Sequence, residues 1–271
     1  MDQFSFQQID ASTIRMLVFC GGILFFLIIE LIVPYRPSYV SKVKRWVNNI
    51  LLTIFNSLIL QLVFSATIIA TVHYVTTNRL GVMNLEQMSV LPHWVIIIIT
   101  IIFLDFVLYI WHILNHIMPL LWRFHRVHHS DLNMDVSTAT RFHIGELAIS
   151  AVIKIALIYF IGATLKTVII YESAMVFCAQ FHHSSLKVPG WFETIFWILF
   201  VPPSMHRIHH SVITKEMDSN YGTILSIWDR IIGTLITDVD QNKISIGIGA
   251  YQDTTKLNFH HLLVMPFTKP V

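Results

Sequence analysis

The sequence predicts an all-α integral membrane protein, a bundle of about four transmembrane helices carrying a histidine-rich helical cap on the cytoplasmic side. Three observations carry this expectation. The chain of 271 residues is 55% hydrophobic and only 13% charged, with a mean hydropathy of +0.64, which is too apolar for a soluble domain of this size. Several apolar runs reach the roughly 20 residues that a helix needs to cross a bilayer. Nine of the 15 histidines fall into a small set of repeated spacings.

Taken in order, Thr13 to Val33 is the first span, with its one acid, Glu30, near the end. The stretch PYRPSYVSKVKRW follows as a loop carrying Arg36, Lys42, Lys44 and Arg45. Ile50 to Val72 is the second span, and His73 to His93, polar and interrupted by Gly81 and Pro92, is the next loop. Trp94 to Trp111 is the third span. Its Asp105 would be costly facing lipid, and it lies two helical turns before His112 on the same face. It is expected to orient a histidine, the alternative being a buried acid bonded to a neighbouring helix. Leu147 to Phe181 reads as one long span or as a helical hairpin; two helices broken near Gly162 are preferred, because that returns the chain to the side it left. Trp191 to Val201 is too short to span and fits an interfacial helix ended by Pro202 and Pro203. The tail after about Tyr251 carries no readable signal. One domain accounts for residues 1–271, since no linker composition divides the chain.

Four basic residues between the first two spans place that loop in the cytoplasm by the positive-inside rule. The histidine segments then emerge on the same side. The N-terminal MDQFSFQQID lacks a basic region, so no cleaved signal peptide is expected. Cys20 and Cys178 lack C-x-x-C spacing and suggest neither a disulfide framework nor a thiolate metal site. No basic tract points to nucleic acid.

The histidines carry the chemistry. His112 and His116 form H-x-x-x-H, while His125, His128 and His129 form H-x-x-H-H. His206, His209 and His210 repeat the second pattern, and His183 sits between. Residues at i, i+3 and i+4 share a helix face, so each cluster can aim imidazoles at one point. Nine candidates exceed the needs of one ion and fit two, with positions left open. All-nitrogen ligation suits iron, zinc, copper or nickel. No H-E-x-x-H is present, which argues against a zincin-type protease. A metal transporter or a protein merely held together by metal are the competing readings. Transport sites, however, lie at mid-membrane rather than at span ends.

The segments HILNHIMPLLWRFHRVHHS with TATRFH, FHHSS, and MHRIHHSVITKEMDSNYGTILSIWDRIIGT resemble the fatty acid hydroxylase/sterol desaturase superfamily, from about Glu30 to Thr237. The resemblance implies a membrane di-iron oxygenase that uses dioxygen to hydroxylate or desaturate a lipid. A sterol, a fatty acyl chain, an alkylglycerol ether or a carotenoid would fit. It implies iron ligation by His112, His116, His125, His128, His129, His183, His206, His209 and His210. With no nucleotide-binding glycine motif in the chain, it also implies a separate electron donor, a ferredoxin or a b-type cytochrome with its reductase. The wording is similar to bacterial members, which implies the bacterial inner membrane. His143 stands in a histidine-x-x-glutamate element and is a candidate tenth ligand or a residue that positions one. His182, offset by one residue from His183, is expected to point elsewhere. Asp218 and Asn220 are candidates for bonding a histidine's outer nitrogen, the alternative being a turn at DSNYG. Ile113 and Ser185 depart from the family pattern without removing a ligand.

Overall fold

An apolar stretch rich in leucine, isoleucine and phenylalanine, free of proline but carrying Gly21 and Gly22, forms α1 from Ala11 to Ile32, which ends just before Pro34, as the steric demand of proline on its predecessor requires. The computed structural model describes residues 11–269 and contains helices and turns; among the described residues only isolated bridges join extended segments. The signal-peptide reading of the first ten residues lies outside the described residues.

The second helix, α2, runs Lys42–Thr77, with the Ser41 hydroxyl accepting from the Lys44 amide at its start. At 36 residues it is about 54 Å long, well beyond a bilayer core of about 30 Å. The expected span of Ile50 to Val72 covers only its lipid part. Lys42, Lys44 and Arg45 stand in its first turn rather than in a loop, and the helix continues past His73. The cause is a set of carboxylates that the sequence does not place. Lys42 pairs with buried Glu30 at 3.1 Å. Arg45 is buried between Asp131 and Asp135, its Nη2 2.7 Å from Asp131 and its Nη1 2.7 Å from Asp135. These pairs let the helix run on into the cap.

The third helix, α3 (His93–Ile117), carries both the span and the first histidine pair. Pro119 opens α4 (Pro119–His129), the HRVHH helix. Next come α5 (Ile144–Ile161) and α6 (Leu165–His183). They are separated at Gly162, whose φ of 78° closes α5 in the left-handed region, so the hairpin expected there is present. Gly81 packs against it so closely that a Cβ there would sit 2.3 Å from the Gly162 nitrogen. Four helices, α1, α2, α3 and α5, are long and apolar enough to cross a membrane. Large apolar side chains such as Leu24, Leu62 and Ile98 are exposed on them, as lipid-facing residues would be. The helix expected over Trp191 to Val201 is shorter, α7 (Gly190–Phe196), and is followed by turns and an extended pairing of Phe200 with Leu225.

The remaining helices are short: α8 (Pro203–His209), α9 (Thr214–Met217), α10 (Ile227–Ile232) and α11 (Phe259–Val264). The tail is ordered by burial. Leu262 and Met265 join Leu52 and Val127 in one core cluster. Arg126 donates to the carbonyls of Met265 and Thr268. The loop between α1 and α2 lies at the histidine end of the molecule, where Pro34 pairs with Leu186 and Arg36 donates to the Ile244 carbonyl at 2.7 Å.

Candidate metal centre

Four helices bring nine histidines together: α3 supplies His112 and His116, α4 His125, His128 and His129, α6 His183, and α8 with its C-terminal cap His206, His209 and His210. They form two groups. His112, His116, His125, His129 and His209 make the first; His128, His183, His206 and His210 make the second. Within each group one nitrogen from every residue lies within 4.8 Å of the others. The two H-x-x-H-H copies divide in opposite senses. In α4 the i and i+4 residues join the first group and the i+3 residue joins the second; in α8 the assignment is reversed. On an α-helix the i+3 side chain lies about 60° around from i and about 100° from i+4, enough here to serve two adjoining points. The groups abut, with the His129 and His210 rings stacked at 4.5 Å.

For six of the nine, hydrogen bonds fix which nitrogen faces inward. The Nδ1 atoms of His112, His128, His183 and His209 meet the main-chain carbonyls of Tyr221, Arg141, Ala179 and Ser219 at 2.8, 3.2, 2.7 and 2.7 Å. Those of His116 and His125 meet Asp218 at 3.1 Å and Glu146 at 2.9 Å. A carbonyl only accepts, so Nδ1 carries the proton and Nε2 of a neutral ring presents a lone pair. The Nε2 atoms of His112, His116, His125, His129 and His209 are buried with no partner. In the second group, Nε2 of His183 lies 3.1 Å from that of His128 and 3.0 Å from that of His206. For His128 and His183 this sets two acceptors against each other, an arrangement that a shared cation would stabilise. Orphaned buried acceptors are rare, and here they converge. This donor set fits two transition-metal ions.

Electrostatics point the same way. Burial, reinforced by neighbouring imidazoles, pushes His128, His129, His206, His209 and His210 well below the ordinary imidazole value. They are neutral, the form in which they can bind a metal. Behind α4, burial would raise the Asp131 carboxyl, but Arg45 and then Arg141 overcome it and hold the group at about 2.

The other sequence candidates separate cleanly. His143 caps α5, its Nδ1 accepting from the Gly145 amide at 2.9 Å while Nε2 meets the Leu263 carbonyl at 3.1 Å. It joins neither group. The glutamate of the same element, Glu146, is what reaches the cluster. His182 is outside both groups, packed on His206 with ring centroids 4.0 Å apart. Asp218 does meet a histidine. Asn220 does not: it holds a turn at φ 53°, donating to the Met205 and Ile236 carbonyls. Asp105 also bonds no histidine. It accepts from the Ile224 and Leu225 amides, each at 3.2 Å, and from the Trp228 indole at 2.8 Å. It thereby anchors the loop whose Tyr221 carbonyl holds His112. Asp229 anchors the same loop, accepting from the Tyr221 and Gly222 amides at 2.8 and 2.9 Å.

The chain is 32% identical over 157 residues to ornithine lipid hydroxylase OlsE of Rhizobium tropici, covering 56% of this chain and 45% of that protein. It is 29% identical over 161 residues to the human (Homo sapiens) alkylglycerol monooxygenase, covering 58% and 35%. It is 21% identical over 254 residues to cholesterol 25-hydroxylase of Mus musculus, covering 86% and 78%. The chain thus spans less than half the length of the first two. No solved structure matches it. The fatty acid hydroxylase pattern matches residues 97–234, which contain all nine clustered histidines and more than half of the chain, and the chain belongs to the fatty acid hydroxylase family.

Proposed function

We propose that this protein is a membrane-bound, dioxygen-dependent lipid hydroxylase with a di-iron centre held by the nine clustered histidines. The observation that carries the reading is the convergence of nine buried imidazoles in two abutting groups at one end of a membrane bundle, the Nε2 atoms of the first group without a partner and those of the second facing one another. Bound there, two iron ions would supply the reductive activation of dioxygen and the oxidation of an unactivated C–H bond. The chain's own residues do the rest. Main-chain carbonyls, Glu146 and Asp218 hold Nδ1–H outward and aim the rings. The packed helices around them exclude water from the pocket.

The substrate is a lipid that enters from the bilayer. The named relatives are hydroxylases or monooxygenases, which favours hydroxylation over desaturation. Electrons come from a separate ferredoxin or b-type cytochrome. The histidine end faces the cytoplasm, as the basic residues at that end suggest, in the bacterial inner membrane. The test is metal content and oxygen use on one anaerobically purified sample. Iron in both sites with reductant-dependent, lipid-stimulated oxygen consumption is the expected result. Zinc alone, or no oxygen use after iron reconstitution with a competent reductant, would overturn the reading. His209→Ala should remove metal from the first group and His128→Ala from the second, each abolishing oxidation.

A further inference from the structure

Asp105 stands at the middle of α3, twelve residues from either end, so it lies about 18 Å from each helix terminus. A bilayer core about 30 Å thick then encloses it wherever the helix sits within a few ångströms of centre. Yet Asp105 is bonded to the chain beyond the last histidine cluster, through Ile224, Leu225 and Trp228. Phe106 packs on Trp228 with ring centroids 5.0 Å apart, and Tyr109 meets the Thr234 hydroxyl at 2.7 Å. Three successive points on α3 thus hold the α10 region against the helix at membrane depth.

Irregular backbone in hydrocarbon is tolerated only where protein groups satisfy it. Here two carboxylates do so. Asp105 takes two amides, and the Asp229 side chain takes those of Tyr221 and Gly222. The Asp229 carbonyl accepts from Gly233, Thr234 and Leu235 at 3.0, 2.9 and 3.1 Å. α7 is tied to the same unit. The Ser226 amide donates to the Leu199 carbonyl at 2.9 Å, the Ser226 hydroxyl to the Trp197 carbonyl at 2.7 Å, and Arg230 to that carbonyl as well. The outer surface of the unit is largely apolar around one exposed cation, Arg230, whose guanidinium is bonded to the Trp197 carbonyl. Ile195, Ile198 and Ile231 are exposed by 63%, 66% and 66%, and Trp191, Leu199 and Ile232 are exposed beside them. On a water-facing cap such a patch would be a liability. Ile98 and Ile102 of α3, the helix to which Asp105 ties the unit, are exposed as well.

We propose that α7 with the turns that follow it to Phe200, together with α10 and the loop from Asn220 to Leu235, forms a re-entrant platform seated among the acyl chains of the histidine-side leaflet, rather than part of the water-facing cap. Its occupant is bilayer lipid. The platform reaches from acyl chains to the metal centre, since its Tyr221 carbonyl holds His112. This inference rests on the membrane fold and on depth, not on the proposed reaction.

The test uses the full metal-loaded chain in nanodiscs of phosphatidylcholine and phosphatidylglycerol. Single cysteines replace Ile198 or Ile231 in a Cys20→Ser, Cys178→Ala background and carry a bimane fluorophore. Quenching by a nitroxide borne on lipid acyl chains is compared with quenching by aqueous iodide. Ile102→Cys on α3 is the lipid reference and Lys256→Cys on the cap the water reference. Both platform sites should follow Ile102, with strong lipid-borne quenching and loss of iodide quenching. Iodide quenching nearer that of Lys256 would overturn the proposal, and so would protection from both quenchers, which means a protein partner or a second copy covers the face. Neither outcome depends on oxygenase activity, so the platform can fail while the proposed reaction stands. Two sites are used so that misfolding of one variant, seen as lost metal, leaves the other to decide.

Discussion

Single residues divide the histidine set by what holds Nδ1. Four of the nine, on His112, His128, His183 and His209, meet backbone carbonyls, which substitution cannot remove. His125 instead depends on Glu146 at 2.9 Å. A carboxylate on the outer nitrogen fixes the tautomer and raises the basicity of the inner one, and losing such a partner typically costs about 10–100-fold in metal affinity. Glu146→Ala should therefore weaken metal binding by about that factor, whereas Glu146→Gln, which keeps an accepting oxygen, should retain most of it. Metal competition titrations on both variants check this, and equal losses would mean that Glu146 acts only through packing. The ligand spacing was legible in the sequence because i, i+3 and i+4 repeats are a property of helices. The split of each repeat between two sites was not, since it depends on how α4 and α8 are rotated against α3. Glu146 stands in the very element that drew attention to His143. Sequence could not tell which of the two turns inward, because that depends on the capping of α5 by His143. Asp105 misled for a related reason: helical periodicity places it on the face of His112, but its oxygens are taken by a loop more than a hundred residues away.

For the helical elements, burial of neutral rings and buried ion pairs set the conditions of stability. α4 and α8 carry imidazoles held well below their ordinary value of 6.5 by burial. In the unfolded chain the same rings take up protons as the pH falls through about 6.5, while in the fold they do not. Protons bound preferentially by the unfolded state destabilise the fold, so stability is full above that pH and is lost progressively below it. Thermal unfolding of the metal-free protein in neutral detergent should shift steadily downward from about pH 7 to about pH 5. A flat profile would mean that the rings titrate normally and the groups are open to water. Bound metal should oppose the shift, because it competes with protons for the same nitrogens. The start of α2 offers a second test. Arg45 is buried against Asp131 and Asp135, and removing one member of a buried pair typically costs about 3–5 kcal/mol. Arg45→Met should lower stability by about that amount, read from denaturant unfolding of the metal-free protein, while Lys44→Met on an exposed site should not. Span existence was legible for every long apolar run, since composition alone decides it. The start of α2 was not. A run of basic residues reads as a loop until Asp131, Asp135 and Glu30, distant in sequence, neutralise it.

Across the whole molecule, α4, which carries three of the clustered histidines, is backed by the stretch of chain around α11. α4 packs on one side against α3 and on the other against the tail. There Leu262, fully buried, meets Val127 between His125 and His128, and Arg126 on the same turn donates to two tail carbonyls. The tail carried no readable signal because α11 has only six residues, too few to display a period. Its order comes from long-range burial against α2 and α4 rather than from local propensity. That dependence makes a prediction which separates a strap from a passive end. Leu262→Ala empties a packed site, for which the usual cost is about 2–5 kcal/mol, and the loss should fall on α4. Metal should dissociate faster from both groups, since α4 contributes His125 and His129 to one and His128 to the other. Phe267→Ala, at a side chain 73% exposed, should change neither stability nor metal release. The measurement is chelator-driven metal loss from the two variants beside the unsubstituted protein. If Leu262→Ala lowers the unfolding temperature but leaves the release rates unchanged, the tail stabilises the bundle without positioning α4. If both change together, the rigidity of the centre is set at the end of the chain farthest in sequence from its first histidine.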